Sequence, residues 1–222
     1  MWPADCLIET VANETTAPEV SLRHLKAELA RLDVRLRREV SRWQHAGQDP
    51  ADTFRGLYVS DAQASALLEL PLGATWAGAG DPEDDRTWGE LERRAARQAR
   101  TVADEALRLG RPSRLTHLAQ TFGLDPFEVD VLLLALAPAL DLRYQRLYGY
   151  LQDDVTRKHP GVSLALDLFA TPVGERLACL PRFAGDAPLF RQHLLAWDAE
   201  AGDAAPLLAR AFLIDETVAG WL

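Results

Sequence analysis

The 222-residue sequence predicts a mainly α-helical protein that ends in a small β-hairpin. Three observations support this prediction. Leucines recur at intervals of three and four residues near the N-terminus, which is the period of a helix with one apolar face. Residues typical of helix starts and stops bound further apolar segments up to about residue 181. After Pro181, two apolar runs flank an acidic loop, as two paired strands would.

The composition is that of a folded, acidic protein. Hydrophobic residues make up 48% and charged residues 26%, so a disordered chain is excluded. The formal net charge is −9, and only Lys26 and Lys158 are lysines. Because an acidic chain repels phosphate backbones, we expect no general nucleic-acid binding. Cys6 and Cys179 are too few and too distant for a disulfide framework, which indicates a reducing compartment.

The sequence predicts a cytoplasmic protein that does not bind or cross a membrane. The N-terminus lacks the basic start and long apolar core of a signal peptide. The most apolar run, Val131–Leu140, is about half the length that a bilayer requires and contains Pro138. We therefore expect this run to form a core helix.

A loose segment at 1–20 is predicted to precede a helical region at 21–110. The first helix of this region has an apolar face at helical spacing, formed by Leu22, Leu25, Leu29, Leu32 and Leu36. These leucines either pack against the rest of the chain or form a coiled-coil seam with a partner or a second copy. The repeat covers only about three heptads, which favours internal packing. The five leucines are the candidate partner-contact residues.

A linker near 71–86, containing glycines, prolines and an acidic cluster, interrupts the helical region. Before it, Ser60 is predicted to open a short helix through Leu70. After it, Thr87 is predicted to cap a helix through about Leu109. This helix has a basic face, formed by Arg93, Arg94, Arg97 and Arg100. Such a face is usually solvated, and the alternative is contact with an acidic partner.

The segment 113–222 predicts a separate domain of short helices followed by a strand, a loop and a strand. Helix starts are predicted at Ser113, Asp125, Asp141, Ser163 and Thr171. The helix after Asp125 should run through Leu136 at the centre of the domain. The run 189–197 is compatible with strand or helix, whereas 206–214 is predicted as a strand. This order of elements is that of a winged-helix domain.

The motifs of catalysis and cofactor binding do not occur in the sequence. A phosphate-binding loop ends in Lys followed by Ser or Thr, and neither lysine has such a neighbour. The histidines are scattered, there is no Cys-x-x-Cys pair, and no Gly-x-Ser-x-Gly elbow occurs. We therefore predict a chain without enzymatic activity, without a metal site and without a cofactor of its own.

A winged-helix fold makes nucleic-acid binding the alternative function. Helices that bind DNA carry cationic or amide side chains for phosphates and base edges. The best candidate helix here, 163–169, has no cation and one acid, Asp167, and the loop at 198–203 is also acidic. Tyr144 and Tyr148 are predicted to line the core with their hydroxyls at the surface rather than to stack on bases. These features favour protein binding.

Three stretches of the sequence resemble one family. The stretches are Asp52–Asp61 (DTFRGLYVSD), Phe122–Tyr144 (FGLDPFEVDVLLLALAPALDLRY) and Arg210–Glu216 (RAFLIDE). They are similar to the N-terminal region, with its variant winged-helix domain, of bacterial AAA-family ATPases associated with contractile, phage-tail-like injection systems. The resemblance covers roughly residues 52–222, and its middle stretch is the most specific.

The resemblance implies a protein-interaction and regulatory region whose ATPase module would follow Leu222. ATP and magnesium would bind only in that module, and the present chain would be a piece of the longer protein. Its expected role is to dock a protein client or an injection-system component, or to contribute to ring assembly.

Overall fold

The computed structural model describes residues 17–45, 64, 65, 68, 69, 82–170, 173–199 and 205–222. Its labelled helices are α1 (Ala17–His45), α2 (Pro82–Arg108), α3 (Arg114–Phe122), α4 (Pro126–Leu140), α5 (Arg143–Leu151), α6 (Val162–Phe169), α7 (Val173–Cys179), α8 (Pro188–Arg191) and α9 (Glu216–Trp221). The strands are β1 (Leu195–Trp197) and β2 (Phe212–Ile214), and short 3₁₀ helices span Leu180–Phe183 and Leu207–Ala209. The predicted class, mainly α with a small β-hairpin, is confirmed.

The two long helices α1 and α2 lie antiparallel. Arg23 near the start of α1 pairs with Glu105 near the end of α2 at 3.2 Å. Arg42 near the end of α1 pairs with Asp85 in the first turn of α2 at 2.8 Å. Residues 17–20, predicted to belong to the loose segment, are already helical. The rest of that segment lies outside the described residues.

Helix α2 begins earlier than predicted, at Pro82 instead of directly after a cap at Thr87. Residues 82–86 were expected to belong to the linker, but they form the first turn of α2. Pro82 has no N–H group that would be left without an acceptor at the helix start. The three acids that follow it interact favourably with the helix dipole. The rest of the linker, 71–81, and most of the short helix predicted after Ser60 lie outside the described residues.

The start of α3 agrees with the prediction. The Ser113 hydroxyl accepts a hydrogen bond from the Thr116 N–H at 3.2 Å, so it caps the helix. Gly123 ends α3 in the left-handed conformation (φ 64°), which glycine adopts without steric cost.

Helix α4 starts as predicted but ends later. Asp125 and Glu128 form a reciprocal capping box, with both hydrogen bonds at 2.9 Å. The helix continues past Leu136 and through Pro138 to Leu140. Its residues 131–137 are almost completely buried, as expected for a central helix.

Tyr148 explains why α4 does not end at Pro138. A proline cannot donate to the carbonyl four residues before it, which here is that of Leu134. The Tyr148 hydroxyl of α5 donates to this oxygen at 2.8 Å and satisfies it. The prediction that this hydroxyl reaches the surface is therefore wrong. The Tyr144 hydroxyl points towards α1, where it donates to Asp33 at 2.7 Å.

Helices α5 and α6 begin near, but not at, the predicted residues. Asp141 closes α4, and α5 begins two residues later at Arg143. The cap position of α6 is held by Gly161, and Ser163 lies within the first turn. Helix α7 ends at Cys179, one residue before the predicted end, and Thr171 lies outside the described residues.

The hairpin is shorter than the two apolar runs. Strands β1 and β2 pair antiparallel, with Leu195 opposite Ile214 and Trp197 opposite Phe212. The run 189–197 contains most of α8 and then β1, so it is partly helix and partly strand. The run 206–214 contains a 3₁₀ turn before β2, so the predicted strand covers only its last three residues.

One apolar core joins the N-terminal helix to the segment 113–222. Leu25, Leu32, Leu36 and Trp43 of α1 are buried in the same cluster as the apolar residues of α4, α6 and the hairpin. The domain boundary near residue 110 stays a prediction.

Candidate interaction surface

The leucine face of α1 is directed mainly at the core of the chain. Leu25, Leu32 and Leu36 are buried, and Leu29 is partly buried against them. Leu22 differs from the other four, because 49% of its surface is exposed. The internal-packing alternative accounts for four of the five leucines. A partner contact at Leu22 stays a prediction.

A second face of α1 carries buried, paired arginines. We call Arg31, Arg35 and Arg38 the α1 arginine row; they follow one another at i, i+4 and i+7. Their side chains are only 12–16% exposed. Asp130 of α4 lies between the first two and accepts from both, at 2.5 Å from Arg35. Glu92 of α2 lies between Arg35 and Arg38, at 2.5 and 3.4 Å.

The α1 arginine row therefore links α1 to three other helices. In addition to its contacts with α2 and α4, Arg38 donates to the Leu168 carbonyl of α6 at 3.2 Å. Burial alone would lower the pKa of Arg31, but the hydrogen bond and charge of Asp130 raise this pKa above its usual value. The row has a structural role, since each guanidinium has a partner from another helix.

Helix α2 carries arginines at the same spacing, but these face outward. We call Arg93, Arg97 and Arg100 the α2 arginine row; all three are exposed, as is Arg94 beside them. None of the four forms an ion pair within 4 Å with a residue of the described ranges. Glu90 and Asp104 lie one turn before and after the row and are also exposed. The row is thus a positive segment about 10 Å long between two carboxylates.

An apolar groove adjoins the C-terminal end of this row. It has a volume of about 630 Å³ between α1, α2, α3 and the start of α4, and Arg100 is among its lining residues. Its apolar lining consists of Ala103, Leu115, Ala119, Leu124 and Val129. The two acids of its lining already have partners: Glu28 pairs with Arg31, and Asp125 caps α4. The groove and the α2 arginine row together form the candidate interaction surface.

The helix considered for DNA recognition is not available for it. Five of the eight residues of α6 (Val162, Leu164, Ala165, Leu166 and Leu168) are at most 2% exposed. Its acid, Asp167, is buried and paired with Arg176 of α7. An element that enters a DNA groove must present side chains to solvent. Because α6 is buried in the core, it cannot serve as such an element.

Glu39 is a buried carboxyl group that the sequence did not single out. It is 1% exposed and faces Asp167 across the α1–α6 contact, with Arg42 at 3.5 Å and Arg38 also nearby. Burial, followed by the charge of Asp167, raises the pKa of Glu39 to about 7. The group therefore changes charge near neutral pH.

Ser113, His24 and Glu28 lie in an order that resembles a catalytic triad. His24 Nδ1 is 2.6 Å from the Ser113 hydroxyl oxygen, and His24 Nε2 is 3.5 Å from Glu28 Oε1. However, Ser113 is 1% exposed, and its oxygen already accepts the Thr116 N–H that caps α3. A nucleophile must reach its substrate, so this contact fastens α1 to α3. His24 and Ser113 are 89 residues apart in the sequence, and no motif predicted their contact.

The polar groups of a second cavity also have internal partners. This cavity, about 460 Å³, lies beside the hairpin and is lined in part by Trp43, Asp154 and Asp167. Asp154 accepts hydrogen bonds from Thr156, and Asp167 is paired as described above. Within the described ranges, no group of three or more His, Cys, Asp or Glu side chains is placed to hold a metal ion. Burial raises the pKa of the Cys179 thiol, which opposes thiolate formation.

Among the described helices, none combines the length and the apolar character needed to cross a bilayer. The longest two, α1 and α2, carry charged residues throughout.

The fold and the comparisons agree on the class of protein. Short helices packed against an antiparallel hairpin near the end of the chain are the elements of a winged-helix class of domain. The model of the family described as "Winged helix domain, variant" matches residues 10–222, and the chain belongs to this family. No curated protein and no solved structure shows a significant match to the chain.

Proposed function

We propose that this chain is a non-catalytic protein-interaction and regulatory region of an AAA-family ATPase. The observation that carries the proposal is the burial of α6 and its lack of cationic side chains. In a winged-helix domain that binds DNA, this type of helix is exposed and cationic. Here α6 is buried, and its one charged residue, Asp167, is an acid paired inside the protein. A winged-helix domain with this arrangement is better suited to binding protein.

The assignment to an ATPase rests on the sequence similarity of three stretches. The most specific, Phe122–Tyr144, comprises the end of α3, all of α4 and the start of α5. In the similar bacterial proteins this region precedes the ATPase module. ATP and magnesium would bind in that module, whereas the present chain would supply docking for a client or injection-system component in the cytoplasm.

The coding sequence that follows codon 222 tests this assignment. We expect it to encode a glycine-rich loop ending in Lys followed by Ser or Thr, since that loop holds nucleotide phosphates and magnesium. A reading frame that continues into a different type of domain, or stops at once, would contradict the proposal.

The α2 arginine row favours a second candidate function, that of a nucleic-acid-binding regulator. Exposed arginines contact phosphates, and such binding weakens steeply as salt concentration rises. Fluorescence anisotropy with a labelled 20-base-pair duplex, measured from about 50 to 200 mM salt, separates the two functions. We expect no salt-dependent binding of the duplex. Binding that falls by orders of magnitude over this range would favour the second function.

A further inference from the structure

We propose that the α2 arginine row and the adjoining groove dock an acidic peptide segment of a partner protein that also carries a bulky apolar residue. This inference rests on the proposed protein-docking function and names the surface and the chemistry of its partner. The row would bind the carboxylates of the segment, and the groove would bind its apolar side chain.

Among the residues that the structure describes, the α2 arginine row has no acid that uses its hydrogen-bond donors. A guanidinium offers five N–H donors in a planar arrangement that matches a carboxylate. In the α1 arginine row, acids of other helices use these donors. In the α2 arginine row, no ion pair with any described residue does so. A partner with two or three carboxylates would supply the acids that this row lacks.

The charges around the row favour a peptide over nucleic acid. Arg93 to Arg100 spans about 10 Å, and Glu90 and Asp104 lie at the two ends. A nucleic-acid backbone would continue past both ends and meet these carboxylates. Nucleic-acid affinity grows with the number of phosphates that cations neutralise, and a row of three arginines neutralises only about three. A short acidic segment fits between the two acids.

The groove defines the second part of the ligand. Ala103 follows Arg100 by one helical turn, so the groove begins where the row ends. The lining combines small side chains, Ala103 and Ala119, with the partly exposed apolar side chains of Leu124 and Val129. Such a lining suits Leu, Ile, Phe or Met, because burying one of these side chains removes apolar surface from water. The apolar residue should lie within about four residues of the acids.

Selection of displayed random 12-residue peptides tests the charge part. The 222-residue chain would be compared with R93Q/R97Q/R100Q and with R37Q, which changes an exposed arginine of α1. Wild type and R37Q should enrich peptides with Asp or Glu near one large apolar residue. Chemically synthesised winners should bind the triple variant at least about tenfold more weakly, since three exposed ion pairs are lost. No acidic enrichment, or equal binding to the triple variant, would overturn the proposal.

Filling the groove tests the apolar part. Ala103→Leu and Ala119→Leu keep helix-forming residues and occupy the space. The double variant should retain the acidic preference and lose the preference for a large apolar residue. If the apolar preference is unchanged, the groove is not the site. Circular dichroism melting of each variant would show that the fold is kept, and a variant that fails this control is replaced by R97E or by Ala119→Leu alone.

Two further outcomes distinguish this inference from the proposed function. The selection could yield peptides that lack acids and that bind wild type and the triple variant equally. This result would support protein docking but would show that the α2 arginine row and the groove are not the docking surface. A labelled 20-base-pair duplex or 20-nucleotide single strand that binds wild type and not the triple variant would identify phosphate as the ligand. That result would overturn both the inference and the proposed function.

Discussion

The two arginine rows have the same residue type and spacing but opposite surroundings. The α1 arginine row lies between helices, and each member binds an acid or a carbonyl of another helix. The α2 arginine row faces outward and has no ion pair with a described residue. The acids that bind the α1 row are distant in sequence: Asp130 is 99 residues from Arg31, and Glu92 is 57 from Arg35. Spacing along a helix thus defines a face, and tertiary partners decide its role.

The largest predicted effect concerns Asp130, the acid shared by Arg31 and Arg35. The Asp130→Ala variant should lose about 3–5 kcal/mol in the free energy of unfolding, since it leaves two buried guanidiniums without their common partner. Urea unfolding measures the loss. The matched control is Asp104→Ala, an exposed acid of α2, which should change stability by less than about 0.5 kcal/mol. Equal losses in both variants would remove the distinction between the rows.

The next effect concerns pH and Glu39, which lies near Arg38 and Arg42. The pKa of Glu39 is raised from 4.5 to about 7 in the folded protein. Between these values the folded state holds a proton that the unfolded chain releases, so stability falls as pH rises through this window. The expected loss attributable to Glu39 is about 3 kcal/mol, from about 1.4 kcal/mol per pKa unit.

The Glu39→Gln variant isolates this contribution from that of other carboxyls. The raised pKa of Asp167, like that of Glu39, makes the free energy of unfolding fall as pH rises. The lowered pKa of Glu28 makes it rise with pH. At pH 5 the variant and wild type should have similar free energies of unfolding, and at pH 8 the variant should be more stable. Parallel pH profiles of the two proteins would contradict the assignment.

A smaller effect is expected at Arg23 and Glu105. This pair also joins α1 to α2, but its side chains are 48% and 49% exposed. Exposed ion pairs contribute little, so a double-mutant cycle with Arg23→Gln and Glu105→Gln should give a coupling of about 0.2–1 kcal/mol. A coupling free energy as large as the stability loss in Asp130→Ala would mean that any ion pair between helices, buried or exposed, contributes equally to stability.

The features that depend on neighbours in sequence could be predicted. Ser113 and Asp125 start helices because their side chains bond N–H groups a few residues away. The extension of α4 past Pro138 could not be predicted, since it depends on the hydroxyl of Tyr148 in another helix. The start of α2 at Pro82 could not be predicted, since an acidic cluster after a proline suits a solvated loop as well as a first helical turn.

The sequence held one unused signal for the buried arginines. Asp130 and Asp167 each stand between two apolar neighbours in the sequence, and a carboxylate that is buried in such a position must be paired. The exposed basic face of α2 was among the alternatives that the sequence left open. The groove could not be predicted, because its lining comes from four helices, α1 to α4, together. Glu39 gave no signal, because its raised pKa depends first on tertiary burial and then on the charge of Asp167, which is 128 residues away in the chain.

The most direct test of the account compares two triple variants in one urea series. R31Q/R35Q/R38Q and R93Q/R97Q/R100Q remove the same charges at the same spacing from the two helices. The first should lose several kcal/mol of unfolding free energy or fail to fold, because buried acids remain unpaired. The second should stay within about 0.5 kcal/mol of wild type. Similar losses in the two variants, or no loss in the first, would contradict the division between a structural and a binding row.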